Sequence, residues 1–187
     1  MRLLNIAGFR ECTESEGPGK RFALWCQGCL KRCPGCCNPE MQSIEPVHVI
    51  PVSQVEMMIA ASKERNGIEG VSFIGGEPFL QSESLAELAQ SVRGMGLNVL
   101  VFTGYTLEEL EDMKIPGADD LMRYIDVLVD GAYVEAMQDT KRPWVGSTNQ
   151  NVIRLTDAYP EGFEYMQARS MEILITGEHV KINGWPY

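Results

Sequence analysis

Five cysteines, Cys26, Cys29, Cys33, Cys36 and Cys37, fall within twelve consecutive residues, and only Cys12 lies elsewhere in the 187-residue chain. This constrains the fold more than any other feature, because one loop must present several thiols at once. Stability does not demand it. A single core of this size buries about 70% of the surface its unfolded chain exposes and needs no disulfide staples. One domain spanning 1–187 is therefore expected. The first ten residues lack the apolar run and small-residue cleavage site of a signal peptide, so the thiols are expected in a reducing cytoplasm, where disulfides are disfavoured. No stretch approaches the roughly 20 apolar residues of a membrane span.

Charge narrows the partners. The net charge is −10, and residues 105–139 hold ten acidic and two basic side chains, against four acidic and six basic in 1–40. A phosphate-tracking nucleic-acid binder would show basic clustering instead, so no nucleic-acid partner is expected. The acidic run reads as a solvated face.

Strand and helix signals alternate after the cysteine loop. Runs 21–25, 71–74, 98–102 and 125–130 read as buried strands. Ser53 with Glu56 has capping-box spacing, and Val55, Met58, Ile59 and Ser62 follow at helical intervals. Leu85, Leu88, Ala89 and Val92 repeat the pattern and stop at Gly94 and Gly96, while Thr106 with Glu109 starts a third helix. Alternation implies right-handed βαβ units and a parallel sheet with functional loops at the carboxyl ends of its strands. Residues 171–175 and 179–182 read as a terminal hairpin within 171–183. A complete eight-stranded barrel takes about 250 residues. The expected fold is thus an α/β single domain, a partial, open β/α barrel with a C-terminal hairpin, whose open side admits a loop of a large partner.

The cysteine loop itself permits several chemistries. Cys33-Pro34-Gly35-Cys36 has the spacing of a zinc knuckle, with Cys26-Gln27-Gly28-Cys29 as its second pair, since His48 and His179 are the only histidines. It also has the spacing of a thiol–disulfide centre, although that motif wants to open a helix without three further thiols beside it. Cys29, Cys33 and Cys36 form a CxxxCxxC triplet suited to an iron–sulfur cluster, which commonly takes four thiolates. Three would leave one iron open, as catalytic metal centres do.

The residues also carry a resemblance. Glu16-Gly17-Pro18-Gly19, Arg21, the run 27–36 and Asn38-Pro39 resemble the opening of the radical S-adenosylmethionine enzymes, and among them the glycyl-radical-enzyme activases. Gly75-Gly76-Glu77-Pro78, directly after the strand 71–74, looks like their GGEP element. Runs 103–110, 126–131 and 144–150 look like those of the small activases of anaerobic ribonucleotide reductase.

This resemblance implies that Cys29, Cys33 and Cys36 hold a [4Fe-4S] cluster whose open iron binds the amine and carboxylate of S-adenosylmethionine. It implies one-electron cleavage to methionine and a 5′-deoxyadenosyl radical, with an external one-electron reductant. Gly75 and Gly76 would let the ligand approach the backbone, and Glu77 would receive its ammonium. Gly35 and Cys37 would contact the adenine end or backbone of the cofactor, and Thr103 and Asp130 its ribose or methionine. The implied substrate is a polypeptide, first of all a glycine of a glycyl-radical enzyme such as anaerobic ribonucleotide reductase. A second reading is a peptide maturase that modifies, crosslinks or excises backbone in a ribosomally made precursor, with an accessory protein. Electron-carrier and zinc-module readings, which lack a cofactor pocket, stand beside both.

Some residues read equally well as structure. Cys37 stands where such activases carry an aromatic residue or histidine, and as an unliganded cysteine it would pack as a small hydrophobe; Cys12 and Cys26 read as structural. Gly75-Gly76 also suits a tight turn, Glu77 a cap for a helix near Gln81, and Asp130 a strand-end turn. Trp144, Trp185 and Tyr187 suit a partner surface or a satellite core.

Overall fold

In the computed structural model, which describes residues 1–177 and 179–184, the chain builds a mixed α/β fold. The strands are β1 (Leu3–Thr13), β2 (Arg21–Cys26), β3 (His48–Pro51), β4 (Gly70–Gly75), β5 (Asn98–Phe102), β6 (Val127–Asp130) and β7 (Asn151–Arg154). They form one sheet in the order β3-β1-β2-β4-β5-β6-β7. The four central strands, β2, β4, β5 and β6, run parallel, and β1 with β3 on one side and β7 on the other are antiparallel additions. The apolar character of the central strands, valine-rich in β5 and β6, suits burial on both faces.

Helices α1 (Val52–Asn66), α2 (Ser82–Gly94), α3 (Leu107–Met113) and α4 (Ala118–Met122) connect them. Period-2 alternation divides each strand between two faces. On β2 and β4, Phe22, Leu24, Val71 and Phe73 join the main core with Val55 and Ile59 of α1 and Leu85 and Leu88 of α2. The opposite face carries a smaller cluster, in which Leu100, Val127 and Val129 meet Trp144, Val145 and Phe163. On the same face Trp25 and Ile74 border cavities, while Arg21 is buried and donates to Ser72 Oγ at 2.7 Å.

Three strands escape the sequence pattern. β1 alternates poorly because a register shift between Ile6 and Gly8 interrupts it, and because much of it borders a cavity rather than a core. β3 and β7 are four-residue edge strands with no buried position. Helix α1 starts at Val52 behind Pro51, without a side-chain cap. The spacing of Ser53 and Glu56 is therefore not a capping box, and the Glu56 carboxylate accepts from Ser91 Oγ at 2.5 Å instead. Thr106 and Glu109 do form one at the start of α3.

Strand β6 begins two residues later than the run 125–130 suggests, because Asp126 turns its buried carboxylate into a knot. It accepts from Arg93 of α2 at 2.6 Å, from the Val99 amide of β5 at 2.8 Å and from Thr156 beyond β7 at 2.6 Å. The expected hairpin is present as β8 (Glu172–Thr176) and β9 (His179–Asn183). Asn183 ties it to the end of β1 and the loop beyond by donating to Thr13 Oγ1 at 2.9 Å and Ser15 Oγ at 3.2 Å. Trp185 and Tyr187 lie outside the described residues. Among the described residues no helix is long and apolar enough to cross a membrane.

Candidate cluster and cofactor site

Strands β2 and β4 end in register, Trp25 opposite Ile74 and Cys26 opposite Gly75, so the cysteine loop and the GGEP segment leave the sheet side by side. They are clamped together. Gly76 N donates to Cys26 O at 2.8 Å and Glu77 N to Gly28 O at 2.7 Å. The two glycines make this approach possible: a Cβ on Gly75 would stand 2.9 Å from Cys26 backbone atoms, and one on Gly76 would stand 2.4 Å from Gly28 O. Gly75 also has φ +97°. Their missing side chains thus face the cysteine loop, a structural reason distinct from ligand approach, although both residues also border the cavity beside it.

Further along, the loop turns through left-handed backbone at Gly28, Arg32 and Gly35. It is closed by Gly28 N to Met41 O, by Cys29 N to Gln42 O and by the Gln27 side chain on Ser43 O. Cys29, Cys33 and Cys36 emerge half-buried on a single cavity of about 160 Å³, together with Glu77. Cys26 is different: it is fully buried in the main core, where burial pushes its thiol far up. Cys12 packs against the edge of the same core. No cysteine is paired in a disulfide.

Cys36 and Cys29 differ electrostatically. Cys36 is pushed down to about 6, chiefly by a hydrogen bond from Cys37, with the Asn38 amide and the Gln42 side chain helping. Cys37 is correspondingly driven up and is exposed. Burial raises Cys29, against the lowering effect of the Lys31 and Arg32 amides. Thiolate is the ligating form, so Cys36 is better prepared for ligation than Cys29. Among the described residues no three His, Cys, Asp or Glu side chains converge as ligands of one ion. A multi-iron cluster places its thiolates on different irons, so ligands spread around a cavity fit it.

Glu77 is 1% exposed. Its Oε1 accepts from the Phe79 amide at 3.0 Å and Thr103 Oγ1 at 2.8 Å, and its Oε2 from the Gly104 amide at 2.8 Å. All three donors are neutral, and burial pushes the carboxyl up to about 7. The nearest cation, Lys31, spends its ammonium on Glu109 at 2.7 Å and on the Tyr105 ring at 4.1 Å. A buried carboxylate without its own cation has acceptor capacity left for one, and Glu77 lines the cavity. Glu77 also caps a 3₁₀ turn over Pro78–Gln81, just ahead of α2.

The other expected contacts divide. Thr103 borders the cavity, but its hydroxyl is committed to Glu77. Asp130 does not border it: its carboxylate accepts from the Leu107 amide at 2.8 Å and from Asn151 Nδ2 at 2.9 Å, tying α3 and β7 to β6. Its neighbour Gly131 lines the cavity instead. Gly35 faces away, opposing the Glu135 carboxylate, and borders a second, larger cavity of about 1000 Å³. That cavity reaches Gly8 and Arg10 of β1, Trp25 and Gly184 of the hairpin end, and shares Cys37, Asn38 and Tyr133 with the first.

Sequence reasoning missed Lys31, Gly131 and Gln150 as lining residues, and it placed Trp144 at a partner surface or in a satellite core. Trp144 does belong to the smaller cluster, and it also borders the cavity. The signal available was the run 144–150, whose Gly146 and Gln150 line the same wall.

The 4Fe-4S single cluster domain family matches residues 15–153. Curated relatives share the length of the fold. A protein of Vibrio cholerae serotype O1 named anaerobic ribonucleoside-triphosphate reductase-activating protein is 34% identical over 146 residues, covering 75% of this chain and 91% of its own. The protein of that name from Escherichia coli K12 is 32% identical over 144 residues (74% and 91%), and that of Enterobacteria phage T4 is 29% identical over 158 residues (82% and 96%).

Proposed function

Because the chain belongs to the 4Fe-4S single cluster domain family, within the group of anaerobic ribonucleoside-triphosphate reductase-activating proteins, we propose that it is a radical S-adenosylmethionine activase whose substrate is a glycine in an anaerobic ribonucleotide reductase. The observation that carries this reading is the meeting of Cys29, Cys33 and Cys36 with the buried Glu77, whose carboxylate makes no ion pair among the described residues, on one cavity at the carboxyl ends of parallel strands. The cofactors of the family are a [4Fe-4S] cluster and S-adenosylmethionine. Bound here, they supply one-electron cleavage of the S–C5′ bond to methionine and a 5′-deoxyadenosyl radical, which takes a hydrogen atom from the substrate.

The residues serve that chemistry in separate ways. Cys29, Cys33 and Cys36 would hold the cluster and, being three, would leave one iron open to the cofactor. Glu77 would accept a hydrogen bond from the methionine amino group, and Thr103 with Gly104 holds the Glu77 carboxylate in place. Gly75 and Gly76 keep the cysteine loop against β4, so that the thiols and Glu77 face each other. In this reading 1–187 is one domain and the sheet is an open, partial barrel. The larger cavity, with Cys37 on the wall it shares with the smaller one, receives the polypeptide, and an external one-electron donor reduces the cluster in the cytoplasm. The peptide-maturing alternative and its accessory protein draw no support from the relatives.

Anaerobic cluster reconstitution, reduction and addition of S-adenosylmethionine should yield 5′-deoxyadenosine, and adding the reductase should give a glycine-centred doublet in electron paramagnetic resonance. No 5′-deoxyadenosine, or an undiminished yield from Cys33→Ala, overturns the radical reading. A precursor peptide of altered mass in place of the doublet overturns the activase reading.

A further inference from the structure

Trp144 is 4% exposed, yet its indole N–H has no hydrogen-bond partner among the described residues. Buried tryptophan N–H groups ordinarily find an acceptor, and an orphan of this kind asks for an explanation. The side chain is not loosely placed. Its ring meets Phe102 edge-on at 6.1 Å between centroids and stacks on Phe163 at 5.8 Å.

The segment that carries Trp144 is pinned at several points. Arg142, paired with Asp139 at 2.5 Å, donates to Gln150 O at 2.8 Å and Ser147 O at 3.2 Å. Gln150 Oε1 accepts from the Gly146 and Ser147 amides, and Gln150 Nε2 docks the loop on Gly131 O at 2.9 Å. An unsatisfied donor held this firmly, on the wall of the cavity that Cys29 and Glu77 also line, is preorganised for an acceptor that arrives from outside the protein.

Resting on the function proposed above, we propose that Trp144 Nε1–H donates a hydrogen bond to the nucleoside half of bound S-adenosylmethionine, to a ring nitrogen or a ribose oxygen. Strand order selects that half. The cysteine loop follows β2 and Glu77 follows β4, whereas Trp144 packs on Phe102 of β5 and shares a cluster with Val129 of β6, farther along the sheet from the cysteine loop than Glu77. The methionine end belongs to the open iron and Glu77, which leaves the nucleoside for the aromatic wall. Apolar rings with one fixed donor are also what a flat heteroaromatic base calls for.

The test uses cluster-loaded, oxidised full-length protein and does not depend on turnover. Trp144→Phe keeps the packing ring and removes only the donor. Its dissociation constant for S-adenosylmethionine in equilibrium dialysis should rise about fivefold to tenfold, the range of one net hydrogen bond, with iron and sulfide content unchanged. In ¹⁵N-indole spectra of the wild type, the Nε1–H resonance absent from Trp144→Phe should move on adding S-adenosylmethionine or adenosine and stay still on adding methionine. Unchanged affinity together with an unmoved resonance overturns the inference, and so does a resonance that moves with methionine alone. If the wild-type protein binds no S-adenosylmethionine at all, the function proposed above fails instead.

Discussion

Neighbouring cysteines of one loop have different fates, and residue-level variants should separate them. Cys36 carries the lowered thiol and lines the cavity, whereas Cys37 donates to it and Cys26 is core. Reconstituted Cys36→Ala should lose most of its iron and sulfide, while Cys37→Ala and Cys26→Ala should keep wild-type content by chemical assay. Cys26→Ala should cost about 1 kcal/mol of stability for the buried sulfur. Glu77→Gln tests the other pole of the site. It preserves volume but removes the one buried charge available to an ammonium, so S-adenosylmethionine binding should weaken more than about tenfold in equilibrium dialysis. Its fold should change by only about 1–2 kcal/mol in urea unfolding, from the Gly104 amide facing a donor.

At the scale of elements, what was legible follows from what each pattern measures. β5 was legible to the residue because Val99, Leu100 and Val101 are buried by the two faces of one sheet, and α3 because its capping box is local chemistry. β1 was not: its second half answers to a cavity and a bulge, neither of which leaves a periodic trace. The cysteine triplet and Glu77 were legible as motifs, but the orientation of Asp130 was not, because the Leu107 and Asn151 donors that claim it are fixed only by tertiary folding. The same contrast predicts mutational cost. Thr106→Ala, at an exposed helix end, should cost about 1 kcal/mol. Asp126→Ala strands the Val99 amide and the partly exposed Arg93, and should cost about 2–4 kcal/mol in urea unfolding, discounted for the solvent that reaches the guanidinium.

Across the whole molecule, the hairpin is fastened where titration matters. Glu16, beside the larger cavity, is pushed up to about 8 by burial, partly offset by the Gly184 amide, with the Glu172 carboxylate adding repulsion. A folded value above the unfolded one means that the native state holds the proton more tightly. This contribution is full below about 4.5 and is lost as pH rises through about 8. The urea midpoint should therefore decline as pH rises from about 4.5 to about 8, and Glu16→Gln should flatten that decline; an equally steep decline in the variant would assign it to other groups.

The two-faced sheet carries a genetic consequence. Along β4, Val71 and Phe73 point into the helix-covered core, while Ile74 borders the cavity. A deep mutational scan scored for cellular abundance would be dominated by the first pair. One scored for the activity proposed above would add the cavity side, so the two maps would part company between adjacent codons of a single strand.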